Sequence, residues 1–312
     1  MSAASNPHHG LRDDRRGLGY GLLFAGMALV GSYVALSKPL TAAIPVFLLA
    51  WLRFAIAVPA MLPWLRRVPG EPPLDKARLG TLFLQSLFGN FLFSICMLYG
   101  VSLTSASAAG LILSFMPAAV ALLSWAVLRE RMNARTWLAV ALAVAGVAVL
   151  TLGRRHDAGS ASLLGNLLVL ASVFCEATYV ILGKRLTMTV SPRRISAIIN
   201  LFGLVLMTPL AAVQALSFDF SSLGPSLWVL LIFYSLSASM FSTWLWLSGQ
   251  RYVPASQSGV FTIAMPLAAT TVGVLFLGEH FGWPHGLAFV LAAAGIALIT
   301  TTAGRAPARP AP

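Results

Sequence analysis

Ten stretches of this 312-residue chain stay apolar for about 20 residues at a time, the length an α-helix needs to cross the roughly 30 Å hydrocarbon layer of a bilayer. They lie near residues 18–37, 44–65, 79–99, 104–127, 134–152, 162–184, 194–216, 225–248, 255–277 and 283–302. Hydrophobic residues make up 58% of the chain and charged residues 10%, so a water-soluble fold would have too little polar surface to face solvent. Backbone inside lipid must satisfy its own hydrogen bonds, which leaves helices as the elements. The sequence predicts an all-α integral membrane protein with ten transmembrane helices. The longest connection, between Arg66 and Arg78, is too short for an extramembrane catalytic domain.

A net charge of +12 invites nucleic acid as a partner, but the placement of the basic residues argues for a lipid bilayer instead. With the amino terminus in the cytoplasm, 17 of the 21 Lys and Arg residues fall on the cytoplasmic side, among them Arg15, Arg16, Arg66, Arg131, Lys184 and Arg193. Lys38, Arg154 and Arg155 fall outside, and Arg53 lies within the membrane. This is the positive-inside bias, and it predicts both termini cytoplasmic. Lys38 and Pro39 lead directly into a second apolar run, so the first span reads as a retained helix and not a cleaved leader. Segments 1–17 and 303–312 read as disordered tails, and 153–161 as a linker between two units, 18–152 and 162–302.

Those units repeat. At an offset of 149, Gly100, Ser107, Gly110, Met116, Pro117, Glu130 and Gly146 match Gly249, Ser256, Gly259, Met265, Pro266, Glu279 and Gly295. At an offset of 146, Gly19, Tyr33, Leu36, Lys38, Leu40 and Thr41 match Gly165, Tyr179, Leu182, Lys184, Leu186 and Thr187. The flanking charges run the fourth span outside to inside and the ninth inside to outside, so the two five-helix repeats are expected to be inverted. Inverted repeats are a common way to build a site that faces either side of a membrane in turn. Pro117 and Pro266 cannot donate to the carbonyls of Leu113 and Thr262, which predicts a kink in each helix; with Gly110 and Gly259 they are candidate gating elements, although proline is also common in membrane helices generally. Spans five and ten carry small residues four apart, suited either to packing on each other or to a homodimer surface. Cys96 and Cys175 lie inside spans and read as packing residues.

The run from Thr104-Ser105-Ala106-Ser107 through Met116-Pro117 to Arg129-Glu130-Arg131, repeated from Pro254-Ala255-Ser256 through Met265-Pro266 to Gly278-Glu279, resembles the EamA family of the drug/metabolite transporter superfamily over almost the whole chain. Arg53 in Trp51-Leu52-Arg53-Phe54 falls where that family often has arginine. The resemblance implies an inner-membrane permease, often an exporter of amino acids, metabolites or drugs, with a cavity between the halves and a small-molecule substrate. Val30-Gly31 and Cys175-Glu176 depart from it, standing where the family commonly has an aromatic residue.

Arg53 and Glu176 are the ionisable pair at depth. A charge at the bilayer centre costs roughly 2.5–3.5 kcal/mol on insertion scales, so each must face a cavity or a partner; Arg53 can also snorkel outward, and Glu176 can take up a proton and couple it to exchange. Tyr33, Asn90, Tyr179, Ser239 and Gln257 are candidate cavity-lining residues for substrate; most polar groups in such helices, however, serve interhelical hydrogen bonds. Glu130 and Glu279 read as residues that cap or tie their own hairpins. No phosphate loop, CxxC or HExxH motif appears, so no catalytic residue, cofactor or metal site is expected. The competing reading is an integral membrane enzyme or lipid-handling protein, which should cluster His, Asp or Glu at one interface.

Overall fold

A computed structural model describes residues 7–36, 38–104, 109, 112–152, 162–276 and 282–300. The linker 153–161, the tail 303–312, Gly110 and Glu279 lie outside the described residues. The helices are α1 (Pro7–Leu36), α2 (Lys38–Ala43), α3 (Val46–Met61), α4 (Lys76–Ser86), α5 (Phe93–Leu103), α6 (Met116–Leu128) and α7 (Ala134–Leu152) in the first part of the chain. They continue with α8 (Leu163–Thr187), α9 (Pro192–Ala215), α10 (Pro225–Ser235), α11 (Ser242–Tyr252), α12 (Ala255–Ser258), α13 (Ala264–Phe276) and α14 (Trp283–Thr300). No strand occurs among the described residues.

Among the described residues, six continuous helical stretches are long and apolar enough to cross a membrane: Val46–Leu65, Lys76–Gly100, Leu163–Thr187, Pro192–Ala215, Pro225–Tyr252 and Trp283–Thr300. Met116–Leu128 and Ala134–Val149 are apolar but shorter. The fourth and ninth runs are interrupted, which accounts for part of the difference from the continuous helices the sequence predicts. Ser114 and Phe115 form a turn before Pro117, and a 3-10 segment, Gly259–Ile263, precedes Pro266. Each proline thus stands in the first turn of a new helix, where its missing N–H leaves no helix bond unmade. At the other extreme, α1 begins at Pro7, so part of the segment expected to be disordered is helical; no proline between Pro7 and Leu18 interrupts it.

The elements repeat more faithfully than the residues. Helices α4 and α5 are joined by a π-helical segment, Leu87–Leu92, and α10 and α11 by another, Leu236–Phe241. All three pieces of the later run start and end 149 positions after their counterparts. In a π segment a hydrogen bond slips from i−4 to i−5, which packs an extra residue into the turn and re-aims the next turn of helix.

Helix α1 packs between α11 and α13, and α7 packs along α14. Ala139, Ala143, Ala288 and Ala292 are buried in that second contact, so the small-residue faces of spans five and ten are used within the chain. Leu48, Leu49, Leu52 and Leu231 form a second apolar cluster, while Trp125, Leu164, Val213, Val229 and Val290 point outward. Such a rim of exposed apolar side chains suits hydrocarbon and not water. Cys96 and Cys175 are both free thiols.

Candidate functional site

Four of the polar residues singled out in the sequence converge between α1, α3 and α8. Tyr33, near the end of α1, is buried and meets the Tyr234 ring edge to face with centroids 5.4 Å apart. Glu176 and Tyr179 are three residues apart on α8, hence on one helix face. Each tyrosine feels the charge of both Arg53 and Glu176, with Ser242 beside the Tyr33 phenol and Thr243 beside that of Tyr179. The two tyrosines matched across the repeats therefore share one cluster.

Arg53 and Glu176 do not form an ion pair among the described residues. The Arg53 guanidinium carbon sits 4.5 Å from the centre of the Phe54 ring, and its Nε is buried without a hydrogen-bond partner. A cation over an aromatic face is partly compensated, but an unmatched N–H in a low-dielectric interior is costly. Both residues are half-buried although mid-helix.

Asn90 and Ser239 occupy equivalent places in the two π segments, and both are tied to consecutive residues of α9. Asn90 Nδ2 donates to the Ile199 carbonyl at 3.0 Å, joined there by the Ser86 hydroxyl at 2.7 Å. The Asn200 side chain donates to the Ser239 carbonyl at 3.0 Å. Sequence reasoning missed Ser86 and Asn200; the match of Ser86 with Ser235 at the same offset was the available signal for the first. The Tyr179 ring packs against Gly89 of the first π segment, linking these ties to the central cluster.

Gln257 lies elsewhere. It accepts a hydrogen bond from the Tyr20 hydroxyl at 3.0 Å, beside the stacked rings of Tyr20 and Phe261, at the end of the bundle where Arg16 and Arg131 also lie. Gly259 and Pro117 meet there: a Cβ at Gly259 would come within 2.9 Å of Val120 and within 3.6 Å of the Pro117 carbonyl. The interrupted fourth and ninth runs thus cross at residues the repeat had marked.

Glu130 ties more than its own hairpin. Its carboxylate accepts from the Ala255 N–H at 2.9 Å, the Ser256 N–H at 3.0 Å and the Ser256 hydroxyl at 2.8 Å, capping the first turn of α12 in the other half, and from Ser124. Burial pushes the carboxyl up, and the hydrogen bonds from Ser124, Ser256 and Ala255 outweigh that and hold it below the usual carboxylate range. Nearby, Lys184 Nζ donates to the Gln250 and Val253 carbonyls at 2.6 and 2.7 Å, closing the end of α11. Glu71 repeats the theme between the second and seventh runs, accepting from the Ser191 N–H at 2.7 Å and from Arg194 at 3.2 Å. There too burial raises the carboxyl while Ser191 and Arg194 bring it below its ordinary value. Arg193 sits between the Trp64 and Trp244 rings, 5.9 and 5.7 Å from their centres. Among the described residues no group of three His, Cys, Asp or Glu side chains is placed to hold a metal.

The fold and sequence have known counterparts. A solved crystal structure superposes with a TM-score of 0.73 at 20% identity, covering 91% of this chain and 97% of its own. The uncharacterized transporter YetK of Bacillus subtilis (strain 168) is 36% identical over 280 residues, 89% of this chain and 85% of that protein. The uncharacterized transporter YwfM of the same organism is 31% identical over 182 residues, 57% of this chain and 58% of that one. The model of the EamA-like transporter family matches twice, over residues 17–152 and 163–301. A multi-pass helical chain with that doubled match belongs to the EamA-like transporter family.

Proposed function

We propose that this transporter is a secondary active permease that moves a small metabolite, amino acid or drug across the inner (cytoplasmic) membrane by alternating access, as an exporter or proton-coupled exchanger. In this reading ten spans form two inverted five-helix units, 18–152 and 162–302, with both termini cytoplasmic, and the protein is not an enzyme. The observation that carries it is the meeting of Tyr33 and Tyr179, equivalent residues of the two repeats, beside Arg53 and Glu176. A site made by both halves changes exposure when one half rocks against the other. Asn90 and Ser239 line its flank, the aromatic rings offer apolar contact, and Glu176 carries the proton. Pro117 and Pro266, with Gly110 and Gly259, let the fourth and ninth spans flex.

Proteoliposomes holding the full chain, given a panel of amino acids and cationic drugs with and without an imposed pH gradient, test this. The expected result is saturable flux of at least one compound, accelerated by the gradient, with a Glu176→Gln variant that no longer responds to the gradient. Flux by that variant at the wild-type rate and with wild-type pH dependence removes the proton role; absence of flux across the panel, with hydrolysis or transfer of a lipid substrate instead, removes the permease.

A further inference from the structure

At the basic end of the bundle a cavity of about 430 Å³ opens between Arg16 of α1, the connection after α6 and the junction of α11 with α12. Arg16, Arg131 and Lys184 all contribute to its wall, together with Glu130, Asn133 and Gln257. The positive-inside bias puts basic residues on this face, but it does not require three of them, from three separate parts of the chain, to line one cavity.

The hydrogen bonds already made decide what the cavity can take. Glu130, the sole carboxylate on the wall among the described residues, has its oxygens committed to Ala255, Ser256 and Ser124. Asn133 Oδ1 accepts from the Thr136 N–H at 2.8 Å and its hydroxyl at 2.9 Å, which leaves the amide N–H groups of Asn133 for the cavity. Gln257 Oε1 accepts from Tyr20, which leaves its amide N–H groups likewise. Lys184 spends two of its three N–H bonds on carbonyls and retains one. With the carboxylate and amide oxygens spent and N–H donors left over, and with two guanidiniums at the rim, the chamber is built for an anion with several oxygens. Guanidinium groups match phosphate in geometry as well as in charge.

Arg16 stands two residues before Leu18, where the first apolar run begins, so the cavity lies at headgroup level. We infer that this cavity binds the phosphate of an anionic phospholipid headgroup from the leaflet on the basic side. Basic recesses between helices on that side suit anionic lipid, each Lys or Arg near the surface strengthening the attraction about fivefold.

The test uses the full-length protein purified in detergent and native mass spectrometry after exposure to phosphatidylglycerol or phosphatidylcholine. One phosphatidylglycerol should stay bound at roughly tenfold lower lipid concentration than phosphatidylcholine requires, and an Arg16→Ala/Arg131→Ala variant should weaken it by about tenfold or more. An Arg66→Ala/Arg78→Ala variant, altered at two basic residues of the 66–78 connection that do not line the cavity, should retain it. If the first double variant does not fold, Arg131→Gln, an exposed change outside any helix, should still cost about fivefold. Equal retention of the two lipids, or no response to the cavity variants, overturns the proposal. Inorganic phosphate displacing phosphatidylglycerol at millimolar concentration overturns the lipid as occupant in favour of a soluble phosphate.

Discussion

Glu130 and Gly31 show how much a single position settles. The Glu130 carboxylate gathers four donors across the two halves, including the first free N–H groups of α12. Glu130→Gln keeps the shape but loses the charge, and should cost about 1 kcal/mol at neutral pH, read as a lower thermal midpoint in detergent. The carboxyl is held below its ordinary value in the folded protein. Its contribution is therefore complete above the unfolded pKa of about 4.3 and is lost as the pH falls through the lower folded value, so the gap between wild type and variant should close below about pH 4. Gly31 lies against backbone: a Cβ there would collide with the Met265 carbonyl and press on Ala268 and Ala269 of α13. Because the obstacle is backbone, Gly31→Ala should force α1 from α13, costing at least the roughly 1–3 kcal/mol typical of overpacking and reducing the yield of monodisperse protein in size-exclusion chromatography.

At the scale of elements, much is legible in the sequence and the omissions have physical causes. Tyr33, Tyr179, Pro117, Pro266 and Gly259 stand out because a repeat keeps residues whose size or backbone matters in both copies. The π segments escape because no residue type announces a slipped hydrogen bond; Leu87–Leu92 and Leu236–Phe241 share only their first residue. Gln257 parts from the other cavity candidates because it lies two residues into α12, at the end of a run, whereas Tyr179 lies at mid-run depth. Asn200 gives no signal because a lone asparagine in an apolar run has no partner until α9 is set against the second π segment. Its role there is testable: Asn200→Ala removes the bond to the Ser239 carbonyl and should lower the unfolding free energy by about 1 kcal/mol in denaturant titration, with Asn200→Gln no better, since the longer amide misses that carbonyl.

For the whole molecule, the apolar runs foretell a membrane-embedded helical chain, and flanking charge gives an expected direction to each run. Where helices break is hidden, since proline reports a weak point without saying whether the chain bends, turns or tightens there. Orientation is open to direct measurement. In a chain whose Cys96 and Cys175 are replaced by serine, a single cysteine at Ser222 should react with a membrane-impermeant maleimide applied to intact cells, and one at Asn133 only after permeabilisation. Labelling of both sites in intact cells would refute opposed units. The matching π segments carry a consequence of another kind. Each accommodates one residue more than an α-turn would, and the pair sit in the same register of two units that have otherwise diverged in that stretch. One insertion in an ancestral half-length gene accounts for both, where separate origins need two coincident events. On that account the irregular turn is older than the duplication, and both units inherited it together.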